Sequence, residues 1–533
     1  MFATPVIGQY VGTLSLSPMS EFTVHQVDNS CALEVSYVVG DQYLVTGDGS
    51  KKTMSKAVRS LVEKITEVEP FEPDWESVPE LDLSNKQLDT LHMLDEFCTT
   101  LVTLDASNNT VSHLDGVPQS VRNLRMTHNV LSELTAWRHL MHLQYVDISN
   151  NQIKSLSAFK DLVHLRTLRA DNNQITSLDG IKFHDSLQVL RARGNLITHV
   201  DFDGTKLQRL TELDLENNQI VEFENIEQLT CLSVLNLQNN CLRSFAPSEG
   251  QFSSSLKFLK LSDNDLEALE VAALPSLRLL HADRNAITTI TGFAQCRRLD
   301  SLSLREQKGN KTLDTSFLDS ACEVRKLFLS GNRLSSFNPK VDFLNLQYLE
   351  LANCGLQSLA QDIGQLMPNL RMLNINFNAI DDLWPLRYIP RLKKLLAVGN
   401  RLSEAGKVAN TLAEFPHLSR LDLRNNGATL GFYSPVQTLV SAEDDGKGAE
   451  FDPFILPDVD IERQEKFASR LDMNTKMRKR VYDMVVLNDC KQLKMLDGLP
   501  VSKDIVFAKD DIWEALVENG IVEAGETGQD VST

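Results

Sequence analysis

The chain has 533 residues, 42% of them hydrophobic, 23% charged and 7% aromatic, with 25 Gly and 17 Pro, a composition that supports a sizeable core and excludes collagen-like and low-complexity classes. Lys and Arg number 53 against 72 Asp and Glu, a net charge of −19; such a field repels phosphate backbones and anionic lipid, so neither nucleic acid nor a membrane is expected as a partner. The eight Cys form no C-x-x-C pair and no Cys/His cluster, the pattern of reduced thiols in the cytosol or nucleus, and neither a secretory leader nor a membrane span is seen.

In chain order, residues 1–52 hold two alternating segments, EFTVHQVD and ALEVSYVVGDQYLV, bounded by turn formers; they read as strands of an extended segment that docks on the downstream repeats. Residues 53–76 include SKAVRSLVEKITEV, which places Ala57, Val58, Leu61, Val62, Ile65 and Val68 at helical spacing before Pro70 and Pro73, and predicts a capping helix. From 77 to 430 one unit recurs. LQYVDISNNQI, LRTLRADNNQI, LTELDLENNQI and LSVLNLQNNCL fit L-x-x-L-x-L-x-x-N-x-L, the leucine-rich repeat. About 16 units succeed one another at gaps of 20 to 26 residues, most often 22, and 13 of the 16 keep the Asn; Lys86, Gln307 and Cys354 replace it. Side chains alternate along a strand, so the fourth and sixth places point inward and the Asn closes the turn on backbone groups that the strand ladder leaves unpaired.

The fold expected is α/β: a leucine-rich-repeat solenoid with a curved parallel sheet on its concave face, short helical or 3-10 returns on its convex face, and caps at both ends, because no repeat buries its face alone. Residues 431–460 read as an acidic loop, 461–505 as a C-terminal cap in which a basic helix with Tyr482, Val485, Val486 and Leu487 leads into LKMLDGLPV, and 506–533 as a short helix and disordered tail.

No catalytic constellation is found: there is no phosphate loop, dinucleotide fingerprint, nucleophile elbow or H-E-x-x-H, and the His are scattered without metal-like spacing. No catalytic residue, metal or cofactor is expected. The free variables lie on the outward strand positions, so binding is the expected role. Arg169, Arg191 and Arg193, with Arg125 and Arg166 nearby, form a basic island suited to a phosphorylated or acidic peptide. The same arginines can instead pair with Asp147, Asp171 and Asp214 as a charge ladder. Further along, Phe258, Phe328, Tyr348, Met372, Phe377 and Leu396 are expected to face outward as a protein-binding patch. Alternatively, the acidic segment around Phe451, Phe454 and Ile455 packs over them.

The 22-residue period and LKMLDGLPV resemble, over residues 78 to 501, the repeat class typified by a nuclear regulatory subunit of protein phosphatase 1; that resemblance implies a second reading, a phosphatase subunit bound through its concave face. A narrower resemblance rests on LSLSPMSEFTVHQVD, LDLRNNGATLGFYSP and KMRKRVYDMVVLNDCKQLKMLDGLPV. These look like the C-terminal half of the fungal spindle-pole-body scaffolds of the septation-initiation and mitotic-exit network, related to animal centriolin. That family implies a non-enzymatic scaffold at the spindle pole body with protein partners: a pole anchor, and the network's GTPase regulators or kinases. The family's long Ser/Thr-rich N-terminal region, which docks the kinase, has no counterpart here, so Met1 reads as the start of a C-terminal fragment. Ser17 and Ser434, each followed by Pro, are candidate sites for proline-directed kinases.

Overall fold

Where an outward residue lies between two apolar ones, a segment can bury both only by running extended. In a computed structural model of the chain, each of the sixteen repeats forms such a strand, three residues long, from Glu80–Asp82 to Arg420–Asp422. The structure describes backbone strands at 12–17, 20–26, 33–39 and 42–45, and residues 56–69, 74–248, 250–309, 311–435 and 452–522. We number the repeats as coils 1 to 16. The chain divides into two compact units, Met1–Ile220 with Gln228–Leu232, and Val221–Glu227 with Ser233–Thr533.

In the first unit, strands β1 (Gly12–Ser17), β2 (Ser20–Gln26), β3 (Leu33–Val39) and β4 (Gln42–Val45) pair antiparallel in sequence order. The docking expected of residues 1–52 falls on side chains outside the described residues. Helix α1 (Lys56–Val68) buries Val58, Leu61 and Ile65, one face of its 3.6-residue period. Coils 1 to 7 then pair in parallel, with Leu81, Leu104, Leu124, Val146, Leu168, Leu190 and Leu213 in register. Each is at most 3% exposed, and full burial of such a side chain contributes about 1.5–3 kcal/mol. The returns are short: α2 (Leu94–Phe97), then single 3-10 turns such as Ser157–Phe159 and Asp179–Ile181.

The second unit repeats the pattern through coils 8 to 16, with Leu235, Leu259, Leu280, Leu302, Leu327, Leu349, Leu373, Leu395 and Leu421 in register. Its longer returns are α3 (Ile363–Leu366) and α4 (Ala405–Leu412). Beyond coil 16, α5 (Ile461–Ser469) and α6 (Met473–Asp489) precede a hairpin of Met495–Leu496 with Leu499–Pro500. Met495 and Leu496 pair in parallel with Arg420 and Leu421, so the hairpin adds a last strand to the ladder. The hairpin turns at Asp497 and Gly498, both left-handed, with φ of 54° and 80°. Helices α7 (Lys503–Val506) and α8 (Asp511–Glu518) complete the described chain. Trp513 and Leu516 of α8 share a small core with Met484 of α6, so the last helix packs on the cap helix rather than standing apart. Asp460, Asp472 and Asp510 cap α5, α6 and α8 by accepting from Arg463, Thr475 and Trp513 N–H. The acidic stretch 436–451 and the tail 523–533 lie outside the described residues.

Within each unit, the recurrent Asn ties its coil to the one before it. Asn173 accepts from Ile153 N–H at 3.0 Å and donates to Ile148 O at 3.0 Å; Asn285 accepts from Leu266 N–H at 3.1 Å and donates to Leu261 O at 2.9 Å. The substitutes show what the position requires. Gln307 makes the same pair of bonds, to Ile287 N–H and Ala282 O, each at 2.9 Å. Cys354 keeps only the donor half, Sγ to Leu329 O at 3.3 Å. The residue before this position is left-handed in all sixteen coils, which explains the recurrent Asn-Asn, Gly-Asn and Asp-Asn pairs; Phe377, at φ 57°, is the bulkiest residue there.

Candidate partner-binding face

In the first unit, the outward row runs Arg125, Asp147, Arg169, Arg191, Asp214 across neighbouring strands in register. Most of the expected basic island is neutralised on site. Arg191 Nη2 lies 2.9 Å from Asp171, Arg193 pairs with Asp214 and lies 3.5 Å from Glu216, and Arg125 lies 3.7 Å from Asp105. The charge ladder therefore forms at Asp171 and Asp214, with Asp105 and Glu216 added to it, whereas Asp147 ion-pairs with none of the described arginines and accepts instead from Ser149 and Tyr145. Arg166 and Arg169 are the exceptions, with no carboxylate within ion-pairing distance among the described residues; the Arg169 guanidinium lies 5.7 Å from the Tyr145 ring centroid. Arg125 covers the same ring, also at 5.7 Å. The Nε of Arg169 and that of Arg191 are buried without a hydrogen-bond partner. Arg166 is exposed one place before the strand, its N–H bonded to Gln144 O.

The second unit corrects the expected aromatic patch. Leu396 is 1% exposed and belongs to the core. Phe377 occupies the left-handed turn rather than a strand. Phe258, 38% exposed, stands apart beside Arg278 and Arg325. Phe328, Tyr348 and Met372 remain half-buried, Phe328 in register with Glu350 and Tyr348 in register with Met372, the rings of Phe328 and Tyr348 4.8 Å apart. What covers this face is the chain itself. Residues 452–460, Asp-Pro-Phe-Ile-Leu-Pro-Asp-Val-Asp, lie across coils 11 to 16. At one end Arg305 reaches Glu350 at 2.6 Å and Asp452 at 3.4 Å, its guanidinium 4.9 Å from the Phe328 centroid and 5.7 Å from that of Phe454. Phe454 is 4% exposed. Its carbonyl accepts from Asn374 Nδ2 at 3.0 Å and Asn376 Nδ2 at 2.9 Å. Further along, Arg424 Nη1 donates to Pro457 O at 3.1 Å, Arg420 pairs with Asp458, and Val459 N–H donates to Gly498 O at 3.0 Å. The covering alternative holds for Phe454; Ile455 is half-buried with its N–H bonded to Asp452 O, and Phe451 lies outside the described residues.

Beneath the strap, burial pushes the Glu350 carboxyl up from its ordinary value against the pull of Arg305, and burial lowers the Lys394 ammonium. Arg305, Asn374, Asn376, Arg420 and Arg424, which do this holding, were not singled out from the sequence as contacts; the Asn-x-Asn at two outward places was the only signal.

The scattered His and Cys hold no chemistry in common. His184 is buried and bonded to Ile181 O and Phe159 O at 3.1 and 3.0 Å. Burial pushes the thiols of Cys98 and Cys296 up to about 11 and those of Cys354 and Cys490 up to about 12, leaving them protonated; Cys231 and Cys241 are exposed. No group of three or more metal-ligating side chains occurs among the described residues. Ser434 is half-buried, its N–H donating to Gln464 Oε1 at 3.0 Å; the Ser17 side chain lies outside the described residues.

The family model described as Leucine Rich repeats (2 copies) matches residues 142–183 and 208–250. The chain is a leucine-rich-repeat protein. A leucine-rich-repeat protein of Leptospira interrogans shares this fold, with a TM-score of 0.57 at 21% identity over 71% of this chain and 95% of that one. The chain is 35% identical over 483 residues to the septation initiation network scaffold protein cdc11 of Schizosaccharomyces pombe, which covers 86% of this chain and 45% of that protein. It is also 26% identical to the adenylate cyclase of the same yeast, over 41% of this chain and 13% of that one. The likeness to cdc11 runs beyond the repeats, as the flanking motifs imply, although this leucine-rich-repeat chain spans less than half the length of either yeast relative.

Proposed function

We propose that this chain is the repeat-bearing part of a non-enzymatic scaffold that anchors septation and mitotic-exit signalling components at the spindle pole body. The observation that carries this reading is the match to the septation scaffold across most of the chain, flanks included. The binding body is taken as the repeats of 77–430 between caps at 53–76 and 461–505. Its partners are proteins: a pole anchor and the network's GTPase regulators or kinases. No helix among the described residues is long and apolar enough to cross a membrane.

Within the first unit, the docking site proposed is the row of Arg125, Arg169, Arg191 and Arg193, with Arg166 at its edge, receiving an acidic or phosphorylated peptide. Arg169 supports this, since it has a donor-rich guanidinium and no carboxylate of its own. In the second unit, Phe258, Phe328, Tyr348 and Met372 are the proposed apolar contacts. Ser17 and Ser434 remain proposed phosphorylation sites.

The test is affinity purification of the tagged chain from mitotic cells with mass spectrometry. Pole and network proteins are expected, and capture should fall at least tenfold when Arg169, Arg191 and Arg193 are all changed to Glu in a chain that still unfolds cooperatively. Stoichiometric recovery of a phosphatase catalytic subunit without pole proteins would overturn the scaffold reading; undiminished capture by the triple variant would move the site elsewhere.

A further inference from the structure

We propose that the strand face of coils 11 to 16 is a peptide-binding groove, that Asp452–Asp460 is its occupant in cis, and that a partner segment of the same chemistry exchanges with it. That chemistry is a segment with a carboxylate that opens a tight turn, an aromatic ring two residues on within that turn, and a second carboxylate four residues after the ring. The inference deepens the scaffold reading, on which it rests for the claim that partners use this face.

The backbone contacts are of the kind any peptide supplies. Asn374 and Asn376 both donate to one backbone carbonyl, that of Phe454, and Arg424 donates to another, that of Pro457. Side-chain recognition is confined to three points: Asp452 on Arg305, the Phe454 ring against Arg305 and over Gly331, and Asp458 on Arg420. Backbone amides and carbonyls supply attachment, and spaced pockets supply selectivity, as in other peptide grooves.

The strap is also poorly integrated into the coils. Pro453 and Pro457 have no N–H, and Ile455 N–H turns back onto Asp452 O at 3.2 Å, so the segment stays out of any strand ladder. Pro453, Pro457, Asp458 and Asp460 are exposed. Beneath it, Glu350 Oε1 and Arg305 Nε are buried without a hydrogen-bond partner. A segment serving only as permanent filling is expected to satisfy such groups, because an unmet buried donor or acceptor is costly. A partner peptide placing a donor over Glu350 would fit better than the strap does. Charge favours the same partner: Arg305, Arg420 and the half-buried Lys394 line the groove in a chain whose net charge is −19.

The probe is a fluorescently labelled synthetic peptide of sequence Asp-Pro-Phe-Ile-Leu-Pro-Asp-Val-Asp, titrated with the full chain. The tethered copy has the advantage of effective concentration, so the wild-type chain should bind weakly. A chain carrying Asp452→Asn and Phe454→Ala should bind the peptide at least tenfold more tightly, and adding Arg305→Glu should abolish the gain. A doubly substituted chain that unfolds cooperatively yet binds no better than wild type would sink the proposal. A second measurement needs no variant: excess peptide added to the wild-type chain should speed hydrogen exchange at Phe454 and Ile455, and unchanged protection at saturating peptide would overturn exchange. A chain that captures pole proteins but shows neither effect keeps the scaffold reading and loses this one; a chain that shows both effects and captures no pole protein does the reverse.

Discussion

Replacing Asp497 by Asn should remove a pH dependence of stability that the wild-type chain carries at its C-terminal end. The Asp497 side chain is fully buried. One carboxylate oxygen accepts from Leu423 N–H at 2.6 Å, and the other from Tyr433 and Tyr482 hydroxyls at 2.6 and 2.9 Å. Burial first, and the Asp422 carboxylate second, push its pKa up to about 7 against the pull of those three donors. An unfolded Asp titrates near 4, so between pH 4 and 7 the native state binds the extra proton. Stability from this group is complete below pH 4 and is lost as the pH rises through 7. The slope is about 1.4 kcal/mol per pH unit, on the order of 4 kcal/mol over the window. Asn keeps the acceptor facing Leu423 and does not titrate. Urea unfolding at pH 5, 6, 7 and 8, with hydrogen exchange at the Leu423 amide as the local probe, should show the variant gaining on wild type as the pH rises. Burial also raises Glu350 and Asp483, but both chains share them, so they cancel in the difference. Parallel pH profiles for the two chains, or a difference of opposite sign, would refute the assignment.

Asn285→Ala strands Leu266 N–H in the core, while Leu261 O keeps its bond from Asn264 Nδ2 at 3.0 Å; at about 1–3 kcal/mol for the orphaned donor, the urea midpoint should fall by the equivalent of roughly 1–3 kcal/mol, and a loss under about 0.5 kcal/mol would count against the ladder. Gln307→Ala should destabilise by about 1–3 kcal/mol by orphaning Ile287 N–H, while Ala282 O keeps its bond from Asn285 Nδ2; an undiminished midpoint in thermal unfolding would contradict this. Among the described thiols, Cys231 and Cys241 should react with a maleimide in the native chain, while Cys98, Cys296, Cys354 and Cys490 react only on denaturation; mass spectrometry of the labelled peptides decides it.

The repeat was legible because each constraint recurs. Leu168 and Leu213 are inward for the same reason of alternation, and Asn173 and Asn285 make the same bonds; sixteen instances of one spacing leave little freedom. The left-handed residue before each Asn was legible in principle, since Asn, Gly and Asp crowd there, but Phe377 hides the rule by breaking it. Leu396 was misjudged because its place in the repeat is outward, and periodicity carries no information about what lies over that face. The strap itself was present only as a neighbour in sequence: Phe454 meets Asn374 and Asn376 across separations of 80 and 78 residues, and no local pattern marks such a contact. Asp497 reads as part of a hairpin turn, and only the fold brings Tyr433 and Tyr482 onto its carboxylate.

The acidity that argues against nucleic acid also governs how this protein can bind protein. An arginine on a strand face here is seldom a bare charge: Arg125 has Asp105, Arg191 has Asp171, Arg193 has Asp214, Arg305 has Glu350, Arg420 has Asp458 and Arg424 has Asp422. A partner's carboxylate or phosphate must therefore replace one of the chain's own, and the Coulomb gain is the difference between two pairs rather than the whole of one. Selectivity then comes from what a simple anion lacks: a ring to lie against Arg305, a carbonyl for Asn374 and Asn376, and the spacing that lets both charges land together. That is why the strap, which has all three, holds the face while the acidic surface around it does not.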